Sequence, residues 1–333
     1  MLTADIHAVR SNADAMLANA THREPMKTAD SLSSATFERV VIGGERFVAK
    51  YVSTASDWIM RASGDVACRP LWMWRTGVFD LLPDCLDPLI VDVAHDATTG
   101  VTTLLMPDVE ELLVAEGSAA LPLEQHRRFL DHMAALHAAF WNWDGPPALT
   151  PMANRYMALA PMTGRVEAEL GNAGGVTSVL AGAWQRLASV APEIGQLALA
   201  LATDPGPLVD ALADTPSTLI HGDWKGGNLG SHLDGRTILI DWQWPGRAAG
   251  CVDLGWYVAV NCDRLPESKE ATITGYRDAL ARHGVDVAGW FDRQLELALL
   301  GAFVQLGWSK TDGGPELAWW VDRVLPTARE LVR

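Results

Sequence analysis

The sequence predicts an α+β fold of two lobes, a small β-rich one followed by a larger, mainly helical one. Three observations lead there. Runs rich in β-branched and aromatic residues cluster ahead of Pro107. Ala- and Leu-rich segments with helical spacing fill most of the chain beyond Pro107. Within these helices lies one short β-like stretch, from Leu219 to Ile240, that is dense in Gly, Asp and Asn. With 333 residues and 49% hydrophobic content, the chain is long enough for a large core and two lobes. The boundary is placed at Pro107, giving domains 1–107 and 108–333.

Phe37 to Ile42 and Arg46 to Val52 read as strands, joined through Gly43-Gly44-Glu45, a good hairpin turn. In the second strand Phe47, Ala49 and Tyr51 point one way, and Val48, Lys50 and Val52 the other. Lys50 thus shares a face with two valines, and a partly buried lysine needs an anionic partner. Asp57 is placed to cap a helix beginning at Trp58, and Pro70 to open a helical turn through Trp74. Val101 to Met106 reads as a strand, and Met106-Pro107-Asp108-Val109 has the character of a hinge. Leu123 to Trp143 carries Phe129, Leu130, Met133, Leu136, Phe140 and Trp141 at helical spacing, and Asp144-Gly145-Pro146-Pro147 ends it. Residues 150–215 read as helices with Gly and Pro breaks. Leu254 to Val260, Lys269 to His283, Gly289 to Gly307 and Pro315 to Arg333 read as four more.

The chemistry is concentrated in His221-Gly222-Asp223-Trp224-Lys225-Gly226-Gly227-Asn228 and the downstream Ile240-Asp241-Trp242. Asp223, Lys225, Asn228 and Asp241 fall within nineteen residues. Asp234-Gly235 marks a hairpin between strands at Leu229 to Leu233 and Thr237 to Ile240, which would set Asn228 beside Asp241. Phosphoryl transfer needs a carboxylate to orient a hydroxyl and accept its proton, oxygen ligands for Mg²⁺, and cations for the phosphates, and this segment holds all three. Taken singly, Asp223 and Asn228 read as ordinary loop-capping residues; it is the combination with Lys225 and Asp241 that points to chemistry.

This segment, HGDxxxxN followed by IDW, resembles the aminoglycoside phosphotransferase and choline kinase group, small-molecule kinases with a protein-kinase-like two-lobe fold. The resemblance implies that Asp223 is the catalytic base and that Asn228 and Asp241 are the Mg²⁺ ligands. Gly246 to Leu254 resembles the family's continuation, with Asp253 as an N-cap or loop anchor. Lys225 stands where the aminoglycoside kinases often have His; it is similar to a protein-kinase lysine that contacts the transferred phosphate. Phe47-Val48-Ala49-Lys50 looks like the strand lysine that holds the α- and β-phosphates of ATP. Its usual partner, a Glu on the next helix, is missing between Glu45 and Glu110, leaving Asp57 and Asp65 as candidates. The phosphate-covering loop corresponds to Ser31 to Thr36, which has no glycine; Ser33 and Ser34 are its candidate phosphate contacts. In this fold ATP lies between the lobes, with the hinge backbone on the adenine edge and Met106 and Val109 against the ring.

Composition narrows the partners. A formal charge of −15, from 41 acidic and 26 basic residues, disfavours nucleic acid and anionic membranes; it would suit a cationic hydroxylated small molecule, but an acidic surface that simply keeps the protein soluble is the preferred account of it. Cys68, Cys85, Cys251 and Cys262 form no CxxC pair, which argues against a zinc site or a disulfide framework and fits a reducing cytoplasm. No apolar run reaches membrane-spanning length, and no signal peptide is expected. Among 14 tryptophans, Trp244 and Trp308 are the candidate substrate contacts; His137 is expected to be a packed helix residue. Two alternatives remain. A catalytically inactive kinase-fold binding protein is favoured by the absent Glu and glycine-rich loop, and opposed by the intact Asp223, Asn228 and Asp241. A protein kinase is opposed by the lack of an activation segment ending in APE.

Overall fold

The computed structural model describes residues 5–26, 35–146, 148–172 and 174–332. Ser33 and Ser34 lie outside the described residues. In chain order the elements are α1 (Ala13–Met16), β1 (Ala20–Met26), β2 (Thr36–Ile42), β3 (Glu45–Val52), α2 (Trp58–Ser63), α3 (Arg69–Arg75), β4 (Leu86–Asp87), β5 (Asp92–Asp96) and β6 (Val101–Pro107). Next come α4 (Leu123–Ala139), α5 (Met152–Met157), α6 (Pro161–Glu169), α7 (Gly175–Val190), α8 (Pro192–Thr203) and α9 (Gly206–Ala213). The last part holds β7 (Thr218–Ile220), β8 (Leu229–Ser231), β9 (Thr237–Leu239), β10 (Gly246–Ala248), α10 (Cys251–Val260), α11 (Lys269–Arg282), α12 (Phe291–Leu306) and α13 (Gly314–Leu331). The described residues form two compact units, one drawn from Met1–Gly117 and Gly226–Gln243, the other from Ser118–Lys225 and Trp244–Arg333. The expected α+β class, with a small antiparallel sheet and a larger helical part, is the one observed.

The first unit is built on a five-stranded antiparallel sheet of order β1-β2-β3-β6-β5. Gly43 and Gly44 turn β2 into β3 at φ of 62° and 87°, values that glycine adopts freely and that match the strand twist. The alternation read in β3 is real. Ala49 packs with Val40 and Leu105, flanked by Phe47 and Tyr51, while Val52 packs with Leu104 and Val93. Lys50 pairs with Leu104 in the β3–β6 ladder, and Val48 with Met106, so Met106 lies on the lysine's face of the sheet. Asp57 caps α2, its Oδ1 accepting the Ile59 N–H at 2.9 Å.

The same unit takes in the β8–β9 hairpin. β4 adds to β9 in parallel, and Val114 N–H donates to Leu229 O at 2.8 Å. Gly235 turns the hairpin at φ 91°. Both strands are shorter than the sequence suggested, because Leu233 is fully exposed and has no face to bury.

The second unit is helical apart from β7 and β10, an antiparallel pair in which Ile220 faces Gly246. The Ala/Leu-rich stretch becomes α5 to α9, several opened by proline in the first turn, where its missing N–H costs nothing. α4 ends at Ala139 and buries Phe129, Leu130, Met133 and Leu136, the positions that carried the helical period. Among the described residues, no helix is long and apolar enough to cross a membrane.

Candidate active site

In the second unit, β7 delivers His221-Gly222-Asp223 into a loop whose shape is held by one buried carboxylate. Asp253 Oδ2 accepts the His221 N–H and Oδ1 the Gly222 N–H, each at 2.8 Å. Asp253 is not the N-cap of α10, a place taken by Gly250; it is the loop anchor. His137 Nε2 stands 3.3 Å from Asp253 Oδ2, and His137 Nδ1 stands 2.7 Å from the Tyr276 hydroxyl. His137 is therefore a packed residue of α4, fully buried, and not a ligand. Burial pushes the Asp253 carboxyl up, but the hydrogen bond to His137 and the interactions with His221 and Arg155 outweigh it, leaving the carboxyl below its ordinary value.

Gly222 is required by this geometry. Its φ is 83°, and a Cβ there would lie 2.0 Å from Trp244 O, so only glycine fits. The Asp223 N–H donates to His221 Nδ1 at 3.2 Å, which closes the turn. Asp223 is almost buried, with Lys225 Nζ 3.1 Å from its Oδ2 and the Trp256 indole N–H donating to its Oδ1 at 2.9 Å. The loop therefore presents a carboxylate held at both oxygens, with a cation alongside.

In the first unit, Lys50 is 4% exposed, and its Nζ donates to Asp241 Oδ1 at 2.7 Å and to Gln243 Oε1 at 3.3 Å. Gln243 Nε2 in turn donates to Asp57 Oδ2 at 2.8 Å. The acid that meets the strand lysine is thus Asp241, from 191 residues away; Asp57 is one step behind it, and Asp65 is engaged with Arg69. Burial raises the Asp57 carboxyl, partly offset by its hydrogen bonds from Gln243 and Ile59. Asp241 adopts φ 67°, a left-handed conformation tolerated by aspartate and costly for most side chains. Ile240 N–H donates to Asn228 O at 3.0 Å, extending the β8–β9 ladder and setting Asn228 and Asp241 at the same end of the hairpin.

Asn228 and Asp241 offer an amide and a carboxylate, hard oxygen donors of the kind Mg²⁺ takes. No group of three or more His, Cys, Asp or Glu among the described residues is arranged to hold a metal ion. Two donors without a protein cage fit Mg²⁺, which keeps water and relies on substrate phosphates for the rest of its octahedron.

Val109 borders a surface pocket lined by Arg46, Asp108, Glu110, Glu111 and Leu112, a lining that does not include Met106. Trp244 packs its backbone against Gly222, and the Trp308 indole N–H is committed to Gln305 O. Sequence reasoning missed Trp256, Arg155 and Gln243. Each is joined to the site by a tertiary contact that no local pattern announces.

The sequence pattern of the phosphotransferase enzyme family, APH, matches residues 78–286, which include Asp223, Lys225, Asn228, Asp241 and Asp253. The chain belongs to this family. Of solved structures, spectinomycin phosphotransferase APH(9)-Ia, described in complex with ADP and spectinomycin, is similar at TM-score 0.50 and 14% identity, covering 87% of this chain and 83% of that one. That likeness is one of fold. The choline kinase LicA from Streptococcus pneumoniae is similar at TM-score 0.49 and 11% identity, covering 95% and 96%. An aminoglycoside-3'-phosphotransferase of type VIII is similar at TM-score 0.47 and 19% identity, covering 85% and 93%. No curated protein matches the sequence.

Proposed function

We propose that this APH-family phosphotransferase uses ATP and Mg²⁺ to phosphorylate a hydroxyl group of a small molecule. The observation that carries the reading is the buried Lys50 Nζ, 2.7 Å from Asp241, with Asp241 beside Asn228 on one hairpin. A buried lysine on a carboxylate that also has an amide oxygen neighbour is a ready receptor for phosphate and its metal. Lys50 binds the α- and β-phosphates. Asn228 and Asp241 would hold Mg²⁺, which when bound would neutralise phosphate charge. Lys225 contacts the transferred phosphoryl group, and Ser33 and Ser34, which precede β2 in the sequence, are the further phosphate contacts of this reading. Met106 and Val109 contact the adenine, with Met106-Pro107-Asp108-Val109 as the hinge at the end of a nucleotide-binding 1–107, and with the catalytic loop, the metal ligands and the acceptor-binding helices in 108–333.

Asp223 aligns the acceptor hydroxyl for in-line attack and takes its proton. Proton transfer comes late, because the transition state is loose and positioning supplies most of the acceleration. The net charge of −15 suits a cationic acceptor, such as an amino alcohol or an aminoglycoside. The test is ADP release from Mg-ATP across a panel of hydroxylated amines, aminoglycosides, sugars and nucleosides. Compound-dependent release supports the reading and names the acceptor class. Mg-ATP binding without release by any compound, and without slow transfer to water, supports a binding protein instead. Asp241→Ala is expected to abolish Mg²⁺-dependent nucleotide binding; unchanged binding refutes its role as a ligand.

A further inference from the structure

Asp223 is held by a residue that no motif marks. Trp256 lies on α10, two and three positions beyond Leu254 and Asp253, and its indole N–H donates to Asp223 Oδ1 at 2.9 Å. Behind it, the Arg155 guanidinium from α5 lies 5.1 Å from the centroid of the Trp256 ring. Arg155 is 1% exposed, and neither its Nε nor its Nη2 holds a hydrogen bond. Burial lowers its pKa, while the charges of Asp253 and Asp223 support its charged form; an arginine stays protonated throughout the range of protein function. The Arg155 carbonyl accepts a hydrogen bond from Gln305 Nε2 at 3.2 Å, which ties α5 to α12 and fixes the guanidinium's origin.

We propose that Trp256 is the positioning residue for Asp223, with Arg155 as its electrostatic support. A cation over the face of an indole draws electron density from the ring and makes its N–H a stronger donor. That N–H meets a carboxylate oxygen, and a hydrogen bond to a charged acceptor is stronger than one between neutral groups. One carboxylate oxygen is thereby fixed, and the plane of the carboxylate is set with Oδ2 toward Lys225. The acceptor hydroxyl then meets a base whose orientation is settled before the substrate arrives. An aspartate free to rotate would spend part of its time with neither oxygen on the line of attack. This inference rests on the proposed role of Asp223 as base.

The test is Trp256→Phe, which keeps an aromatic ring over the guanidinium and removes only the indole N–H. Trp256 is half-buried, so phenylalanine leaves the fold intact, checked by thermal melting. ADP release is measured with the acceptor found in the panel, or as slow transfer to water, in wild type, Trp256→Phe, Asp223→Asn and the double variant. The expected result is a fall in kcat of about tenfold to a hundredfold, the scale of one hydrogen bond to a charged group, with KM for both substrates within about twofold. In the Asp223→Asn background the same substitution is expected to have almost no further effect, because the amide Trp256 would still hold is not a base, and its orientation no longer bears on proton transfer. An unchanged kcat in Trp256→Phe, or an equal loss in both backgrounds, overturns the inference. Near-normal turnover of Asp223→Asn overturns the base assignment instead, so the two failures are distinguishable.

Discussion

Gly222→Ala tests whether the loop carrying Asp223 has the shape described. A non-glycine residue in a left-handed conformation costs about 1–2 kcal/mol, and Gly222 has φ 83°. The greater cost is steric. The new Cβ would lie 2.0 Å from Trp244 O and 2.8 Å from Trp244 C, both backbone atoms that no rotamer change can clear. The loop would have to move by more than about 1 Å to restore ordinary contact. The bonds at risk are the 2.8 Å hydrogen bonds from the His221 and Gly222 N–H groups to Asp253, which leave little slack. A bond to a charged group is worth about 1.5–3 kcal/mol, so loss of both with the conformational cost comes to about 4–8 kcal/mol. At roughly 2–4 °C per kcal/mol for a domain of this size, melting should fall by about 10 °C or more. The assay is thermal melting followed by circular dichroism, with ADP release on the folded fraction. Gly182→Ala is the control, because Gly182 sits in α7 with nothing within 4 Å of the added Cβ, and should be neutral or stabilise by up to about 1 kcal/mol. A Gly222→Ala protein that melts within about 2 °C of wild type and turns over normally would refute the steric account of the loop.

The same contacts carry further expected outcomes. Asp253→Ala strands two buried N–H donors and should destabilise by about 2–6 kcal/mol, read from the urea midpoint; a shift below about 1 kcal/mol would contradict its anchoring role. Lys50→Met should raise the Kd for Mg-ATP by about tenfold or more, the scale of a lost charge-assisted contact, measured by calorimetry; unchanged affinity would remove Lys50 from the phosphate site. Burial holds His126 and His132 below 6.5 in the folded protein. The unfolded chain then binds more protons below that pH, so the stability present above pH 6.5 should fall as pH drops toward the folded values. Urea midpoints at pH 7.5 and 5.5 check this, and an increase on acidification would reverse the sign.

Local features were legible in the sequence. The β2–β3 turn was announced by Gly43-Gly44, the cap of α2 by Asp57, and the Asn228–Asp241 juxtaposition by Asp234-Gly235 with its flanking strands. Alternation in β3 placed Lys50 on the correct face, because period-two burial is a property of the strand itself. The features that escaped depend on pairing across long stretches of chain. The partner of Lys50 was sought on the next helix and proved to be Asp241, with Gln243 linking it to Asp57. Trp256 gave no signal beyond being one of 14 tryptophans, and Arg155 read as an ordinary helix residue. Nothing in the spacing of Met152–Met157 reveals that its arginine is buried against an indole that holds Asp223. Such contacts are fixed by how helices pack, which the local pattern constrains only to a face.

The central claim is that Asp223 is the base of a phosphoryl transfer, and Asp223→Asn tests it most directly. The substitution keeps the shape of the side chain and an acceptor oxygen for Trp256, and removes the carboxylate charge. Mg-ATP affinity by calorimetry and acceptor-dependent ADP release are measured on the same preparation. The account predicts unchanged nucleotide affinity with turnover lowered by about two orders of magnitude or more, the scale of a lost general base. Near-normal turnover in a folded, nucleotide-binding Asp223→Asn protein would contradict it.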